Sequence, residues 1–502
     1  MSGLLMLAEG FASIFHPSVL LMLLIGVFVG IVFGAIPGLS ASMAVALFLP
    51  MTYEMDTITG LCTLVALYIG GVSGGLISAI LIKMPGTSGS VATTFDGYPM
   101  ARNGNPGKAL GVALVSSFCG SVFSFIILIF LAPQLARFAL KFSPVEYFSV
   151  IFFAVTMVSS LAGKSMIKGL IVAVLGLILS TVGIAPIDGT TRFTFGNLNL
   201  AAGFSVLPAL IGLFAVSEVF ALAEHANAKQ TYQQIPLKKI KGFGFTLKEF
   251  WGQKWNLLRS MLIGLGIGIL PGIGDTASNM LAYTAAKNSS KEPEKFGTGI
   301  IDGIIPPEAA NNASIGGALI PLLALGIPGD GVTALILSGF MLQGLVPGPL
   351  LFTQQSDLVY CIFATCMIGI VIVLIMEYFG MRVFVKLLKI PKYILMPIII
   401  SLCVVGAFAT NNNLFDTKAI LLFGAIGYAM KKFDLPVAPF VLTFVLGNML
   451  ETNFKRGLML TNGSFLQFFT HPIAAVFMAV ALLSVVWSVV KTLRRRKTGT
   501  KA

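Results

Sequence analysis

The apolar positions of this chain fall in long uninterrupted runs rather than in stripes that alternate with polar ones. Leu20 to Ile36, Val112 to Ala132, Gly169 to Ile187, Gly203 to Leu222, Val359 to Phe379 and Pro472 to Val490 are each long enough, as helices, to cross a hydrocarbon layer of roughly 30 Å. Shorter runs cover Tyr147 to Leu161, Tyr393 to Ala409, Ala419 to Met430 and Val437 to Met449. The pattern predicts an all-α polytopic membrane protein with roughly ten to twelve membrane elements, some of them re-entrant, because backbone in lipid must satisfy its own hydrogen bonds. Composition agrees: 56% of residues are hydrophobic, 11% are charged and the mean hydropathy is +0.92, whereas soluble domains are about one-quarter charged.

Polar positions break these runs in a repeated way. GAIPG at Gly34 to Gly38 continues through LSAS to Ser42, and GILPG at Gly268 to Gly272 continues through IGDTAS to Ser278. Farther on, Gly74-Gly75 leads into KMPGTSGS at Lys83 to Ser90, and Gly316-Gly317 leads into GIPGDGVT at Gly326 to Thr333. Gly34 and Gly268 are 234 residues apart, Pro85 and Pro328 are 243 apart. The chain reads as a duplicated unit, with membrane repeats at 1–228 and 260–471, a basic linker at 229–259, and an extra helix with a basic tail at 472–502. Apolar halves broken at corresponding places are the pattern of secondary transporters.

The net charge of +13 sits in short hydrophilic stretches without a basic amphipathic face or interleaved aromatics, which speaks against nucleic acid. The positive-inside rule accounts for it instead. Lys229, Lys238, Lys239, Lys241, Lys248, Lys254 and Arg259 place the linker in the cytoplasm, and Lys491, Arg494, Arg495, Arg496 and Lys497 place the tail there too. The stretch before Leu20 has no Lys or Arg and is expected on the opposite side. An odd number of crossings then precedes the linker, the second repeat starts inverted, and the run 472–490 brings the tail back. Lys455 and Arg456 would lie outside in this arrangement and argue against it; parallel repeats are the alternative. The first fifteen residues carry Glu9 and no basic residue, so no cleavable signal peptide is expected.

Pro removes an N–H and clashes with the preceding helical turn, and Gly permits unusual backbone angles, so the breaks free carbonyls and amides that a polar cavity must satisfy. Half-helix N-termini suit an anion, and loosened carbonyls suit a cation. Ser40, Ser42, Thr87, Ser88 and Ser90 in the first half, and Thr276, Ser278, Asn279 and Thr333 in the second, supply uncharged hydrogen bonds suited to a carboxylate. The second half adds acids: Asp275 aligns with Ala41 or Ser42, Asp330 with Thr87, and Glu308 falls near Ala66, in a segment whose Asn311 and Asn312 align with Ile69 or Gly70. An acid in membrane-embedded sequence is a functional candidate, here for holding Na⁺ near Asp275 and Asp330. Helix capping is the equal alternative for both aspartates, and Glu308 after Pro306-Pro307 reads as a first-turn residue. Lys83 either meets an anion or extends to the interface.

Together GAIPGLSASMAVALFLP, MPGTSGSVATTFDGYPMARNG, PGIGDTASNMLAY and PPEAANNASIGGALIPLLALGIPGDGVTALILSG resemble the large membrane subunit of the tripartite tricarboxylate transporters, over essentially the whole chain. The resemblance implies a permease of the bacterial inner membrane, driven by an ion gradient and not by ATP. It implies a small four-helix membrane subunit and a periplasmic binding protein that captures a carboxylate as partners. Carried onto this sequence, the substrate and ion region comprises Gly38, Ser40 and Ser42; Pro85, Gly86, Thr87, Ser88 and Ser90; Gly272, Gly274, Asp275, Thr276, Ser278 and Asn279; Asn311, Asn312 and Ser314; and Pro328, Gly329, Asp330 and Thr333. The carboxylate, the choice of Na⁺ or H⁺ and the formation of a homodimer stay open.

Other classes fit less well. Gly163-Lys164-Ser165 lacks the first glycine of a phosphate-binding loop, which would fall on Val158, and Gly264 to Gly268 lacks the third glycine of a dinucleotide fingerprint. Close helix packing explains the latter. Cys62, Cys119, Cys361, Cys366 and Cys403 form no C-x-x-C pair, and His16, His225 and His471 are isolated from one another, with no acidic neighbour beside His16 or His471 in sequence, so no metalloenzyme is expected. Gly272-Ile273-Gly274-Asp275 has the form used by intramembrane aspartyl proteases, which need a second aspartate. Those enzymes carry Tyr-Asp earlier and Pro-Ala-Leu later, whereas here Phe95-Asp96 lies in a polar stretch and Pro208-Ala209-Leu210 precedes the motif. An ion channel also accommodates polar breaks, but duplicated halves favour alternating access.

Overall fold

The computed structural model describes residues 3–161, 165–224, 243–387, 390 and 392–497. The fold is all-α and polytopic: seven of the described helices are long and apolar enough to cross a membrane, and five shorter ones are apolar. Strand pairing is confined to β1 (Gly183–Ile184) and β2 (Thr191–Arg192) among the described residues. Gly163 and Lys164, His225, the linker lysines Lys229, Lys238, Lys239 and Lys241, and the last five residues of the tail lie outside the described residues.

α1 (Gly3–Ile14) leads into α2 (Pro17–Ala35), begun by a proline where a missing N–H breaks no bond. After a break at Ile36 to Ser40, α3 (Ala41–Phe48) starts on Ser40, whose hydroxyl accepts the Met43 amide at 3.1 Å. Asp56 caps α4 (Thr57–Ile82) through the Thr59 amide at 3.0 Å. α5 (Thr93–Arg102), α6 (Pro106–Ala139), α7 (Pro144–Leu161) and α8 (Met166–Ser180) follow; α8 stops well short of Ile187, where the apolar run ends, because the β hairpin begins there. The short α9 (Leu198–Ala201) precedes α10 (Val206–Ile211) and α11 (Ser217–Glu224), one span interrupted by a π-helical turn at Gly212–Val216.

Past the linker come α12 (Leu247–Trp251), α13 (Lys254–Ile269) and, after a break at Leu270 to Ile273, α14 (Gly274–Ser289). α15 (Ile301–Leu325) is followed by α16 (Gly331–Leu342), α17 (Leu351–Gln354), α18 (Ser356–Leu387), α19 (Lys392–Asn411), α20 (Leu414–Lys432), α21 (Val437–Leu460) and α22 (Pro472–Lys497). Both α4 and α15 end in a left-handed residue, Lys83 (φ 57°) and Gly326 (φ 73°), 243 positions apart.

α4 and α15 form the centre: every residue from Thr59 to Leu81 and from Gly303 to Ala324 is buried. α2 lies along α4 and α13 along α15, and glycines set how close they come. Gly30 abuts the Leu67 carbonyl as Gly264 abuts that of Ala310; Gly34 meets the Gly71 carbonyl as Gly268 meets that of Ser314. Gly74 approaches the Ile31 carbonyl as Gly317 approaches that of Leu265, and Gly86 touches the Gly34 carbonyl as Gly329 touches that of Gly268. These contacts recur at the two offsets that separate the Pro-Gly segments, 234 and 243 residues. The outer helices α8, α18, α19 and α22 keep large apolar side chains such as Ile171, Phe379, Val405 and Leu483 exposed, as a lipid-facing surface requires.

Three local expectations need correction. His471 is not isolated: Nδ1 lies 2.9 Å from the Glu146 carboxylate, a contact across 325 residues that only the fold creates. Asp96 is a fully buried residue of α5, not part of a polar loop, and accepts from the Gly297, Gly299 and Ile300 amides at 2.8–3.1 Å and from the Tyr283 hydroxyl at 2.9 Å. Glu308 lies past the first turn of α15, because the helix runs straight through Pro306-Pro307 from Ile301.

Candidate functional site

The four broken segments converge on one cavity of about 200 Å³, small beside the ~300–1,000 Å³ pockets of drug-sized ligands and so suited to a small metabolite. Its wall comprises Ser40, Ala41 and Ser42; Tyr68; Thr87 and Ser88; Phe214; the run Gly272 to Thr276; Asp330, Gly331 and Val332; and Ala438. Three helices begin there: α3 behind Ser40, α14 at Gly274, and α16 behind Asp330. First-turn amides have no intrahelical partner and carry a partial positive charge, so three such ends at one cavity make it receptive to an anion. The Ser40, Ser42, Thr87, Ser88 and Thr276 hydroxyls add neutral hydrogen-bonding groups.

Two carboxylates stand at the same place. Asp330 caps α16 in a reciprocal box: Oδ1 accepts the Thr333 amide at 2.7 Å, and the Thr333 hydroxyl accepts the Asp330 amide at 2.8 Å. Its other oxygen, Oδ2, takes the Tyr68 hydroxyl. Asp275 is no cap, since it sits inside the first turn of α14, where its Oδ1 accepts from the Ser88 and Thr276 hydroxyls, each at 3.3 Å. Oδ2 of Asp275 points at Gly89, as does Oδ1 of Asn311, a buried oxygen with no hydrogen-bond partner among the described residues. Carboxylate, amide and hydroxyl oxygens of this kind suit a hard cation.

The other sequence-predicted residues stand behind the wall. Ser90 and Thr87 cap the turn at Ser88–Ser90, Asn279 ties to the Gly89 carbonyl and the Ala92 amide at 2.5 and 2.9 Å, and Ser278 donates to the Asp275 carbonyl at 2.8 Å. Asn312 accepts from Ser73 at 2.7 Å and donates to the Glu308 carbonyl at 3.1 Å; Ser314 donates to the Asn311 carbonyl at 2.7 Å. Gly86 and Gly329 provide backbone approach, Pro328 is buried, and Pro85 and Gly38 lie outside the lining. Lys83 turns its ammonium over the Tyr98 ring at 5.8 Å and does not line the cavity.

These segments lie within the part of the chain that matches known proteins. Residues 20–442 match the model of the tripartite tricarboxylate transporter TctA family. This chain belongs to that family. A protein of Agrobacterium vitis described as an uncharacterized 52.8 kDa protein in the TAR-I ttuC' 3' region is 36% identical over 491 residues, 98% of this chain and 97% of the relative. A second from the same organism, an uncharacterized protein in the TAR-II ttuC' 3' region, is 38% identical over 231 residues, 46% of this chain and 96% of the relative. No solved structure matches.

Within this TctA-family cavity, Tyr68, Phe214 and Ala438 are lining residues that lie outside the segments singled out in the sequence. Tyr68 was hidden in an apolar run, and its signal was a lone phenol among LVALYIGG. Phe214 comes from the π-helical turn, a feature that often marks functional positions and that no sequence period reveals.

Proposed function

We propose that this chain is the large permease subunit of a binding-protein-dependent secondary transporter that imports a di- or tricarboxylate, citrate-like, by symport with Na⁺ or H⁺. The observation that carries the reading is the meeting of three helix N-termini and two aspartates in one small cavity. The helix ends attract a carboxylate, whereas Asp275 and Asp330 repel it. A cation bound beside the aspartates removes that repulsion, so each ligand favours the other, which is the energetic content of symport. The two halves act as repeats, supported by close contacts that recur at the Pro-Gly offsets, and rocking of one against the other exposes the cavity alternately.

The protein is a bacterial inner-membrane permease rather than an enzyme. It works with a small four-helix membrane subunit and a periplasmic binding protein, and its linker and C-terminus are cytoplasmic. Lys455, the obstacle to inverted repeats, is held by Asp188 and Glu451 at 2.6 and 2.9 Å, so its charge is offset where it stands. Uptake of labelled carboxylates, citrate first, into vesicles holding this chain and both partners tests the reading. Uptake that requires the binding protein and an imposed Na⁺ or proton gradient supports it; no uptake by an intact complex overturns it.

One observation favours a second reading. Asp330 packs its β-carbon against Gly274 of the Gly-x-Gly-Asp segment, which supplies the second aspartate that an intramembrane protease requires. Cleavage of a transmembrane peptide by the purified chain, lost in Asp275→Asn, would establish that reading in place of transport.

A further inference from the structure

A second cavity, of about 590 Å³, falls within the ~300–1,000 Å³ range of small-molecule pockets. Tyr147 at the start of α7, Leu325 at the end of α15, Asn453 and Arg456 near the end of α21, and Gln354 and Gln355 just before α18 line it, with the loop 344–350 as its rim. That rim is stiff. Pro347 and Pro349 have fixed φ angles, and Gly326 brings the end of α15 against the Pro347 carbonyl, where a methyl would stand 2.6 Å away. Tyr378 of α18 comes 23 residues after Gln355, about 34 Å along a helix, and packs on Phe243 at 4.7 Å, where the chain re-enters from the linker. The cavity therefore lies at the end of the bundle away from the linker, roughly one hydrocarbon thickness from it.

Its charge is one-sided. Near the end of α21, Arg192 binds Glu451 at 2.8 Å, and Lys455 binds Asp188 and Glu451 at 2.6 and 2.9 Å. Arg456 pairs with no carboxylate among the described residues, and it is the base that lines the cavity. No Asp or Glu among the described residues lines it. A guanidinium is a planar fork of N–H donors that matches a carboxylate. Around it the Gln354 and Gln355 amides and the Tyr147 phenol add neutral hydrogen-bonding groups. Asn453 adds another: its Nδ2 is fixed on the Met449 carbonyl at 2.8 Å, which leaves a second N–H on the same nitrogen. Such a wall receives an anion and offers a cation nothing.

An apolar layer parts this cavity from the central one. Val150, Ile151 and Val158 of α7, Leu442 and Leu446 of α21, and Ile327 are buried in one cluster. Leu325 and Met449, which line the outer cavity, pack against that cluster, and so does Ala438, which lines the central one. Val158 also stands against Gly272 of the central wall, where a methyl would be 2.4 Å from it. A charged carboxylate cannot rest in such a layer without a large loss of hydration, so it must stop before it. We propose that the outer cavity is a waiting site for a di- or tricarboxylate anion, with Arg456 as its counter-charge and the α7–α21 layer as the barrier to the central cavity. The role of the site rests on the transport reading; the binding of an anion there does not. At the end of the bundle away from the linker, the site takes the anion from outside, and separation of α7 from α21 passes it to the central cavity.

Arginine modification by phenylglyoxal tests the site on the purified full-length wild-type chain, with no partner protein present. Arg456 is exposed and should react, as read by mass spectrometry. Rising citrate or succinate should slow its modification saturably, while the exposed Arg102 and Arg382 react as before and chloride at equal ionic strength protects nothing. Modification of Arg456 that ignores both carboxylates, or an Arg456 that does not react at all, overturns the proposal. Protection by vesicles of anionic phospholipid in place of the carboxylates overturns it too, since the site would then hold a lipid headgroup. In transport vesicles with both partners, Arg456→Gln should raise KM roughly tenfold or more through loss of a charged hydrogen bond, with the maximal rate unchanged because the central cavity is intact. Arg456→Lys, which keeps the charge without the fork, should restore part of the loss. An unchanged KM overturns the proposal. Wild-type vesicles that take up no carboxylate refute the transport reading, and protection of Arg456 still decides whether the site binds an anion. The same measurement decides if Arg456→Gln fails to assemble.

Discussion

Asp330 has two tasks that a single substitution can separate. It caps α16 through the Thr333 amide and places a negative charge at the cavity. Asparagine caps about as well as aspartate, so Asp330→Asn should change stability by no more than about 0.5 kcal/mol. If its charge helps to hold the co-transported cation, uptake should fall roughly tenfold or more at equal membrane expression. Wild-type uptake by a well-expressed Asp330→Asn protein would remove Asp330 from the mechanism. Asp96 is the converse case, a carboxylate occupied by three backbone amides and a phenol that fasten the approach to α15 onto α5. Asp96→Asn sets an NH₂ group against donors, and a loss of about 2–3 kcal/mol is expected in thermal unfolding of the detergent-solubilised protein.

At the scale of elements, the packing of α13 on α15 allows a paired experiment within one helix. A methyl on Gly268 would meet the Ser314 carbonyl and the Gly317 backbone, whereas a methyl on Gly266 would meet nothing within 4 Å. Gly268→Ala should force the helices apart and lower the melting temperature or abolish assembly. Gly266→Ala should be neutral or stabilising by up to about 1 kcal/mol, since only helix propensity changes. Equal effects of the two substitutions would contradict the close approach. Gly34→Ala should repeat the Gly268→Ala result on the α2–α4 pair, where the Gly71 carbonyl stands in the same place.

Across the whole molecule, the cavity belongs to neither half alone: Ser40 to Ser42, Thr87 and Ser88 face Gly272 to Thr276 and Asp330. A change of state that separates the halves therefore opens the site, which is why closure and ligand binding should be linked. Far from the cavity, the β hairpin is clamped to α21 by Arg192 on Glu451 at 2.8 Å and Lys455 on Asp188 at 2.6 Å. The Lys455 bond, and after it the Thr190 hydroxyl, hold the exposed Asp188 carboxyl below the usual carboxylate range. A depressed value means that the clamp's contribution is present above the ordinary aspartate range near pH 4 and fades as pH falls below it. Lys455→Gln should raise the titration of Asp188 toward the ordinary range, with the Thr190 bonds still holding it down, and salt should weaken the clamp in the wild type, both readable by titration of Asp188. Titration of Asp188 that is the same in Lys455→Gln and wild type would show that the pair does not form.

The all-α membrane architecture was legible because lipid allows a long apolar run few alternatives to helix, and the breaks were legible because Pro and Gly act locally on the backbone. For the same reason Ser40, Thr87, Asp275 and Asp330 could be named from their segments alone: each lies at or next to the start of a helix or helical turn, where its role follows from short-range geometry. Tyr68, Phe214 and the buried place of Asp96 could not, because the residues they meet stand far away in sequence and no local pattern marks them. A contact such as Tyr68 with Asp330, 262 residues apart, exists only once α4 and α16 have packed. Sequence determined where the helices break and which chemistry lies at each break; tertiary structure decided which breaks face one another, because that depends on the glycine-set approach of helices distant in the chain.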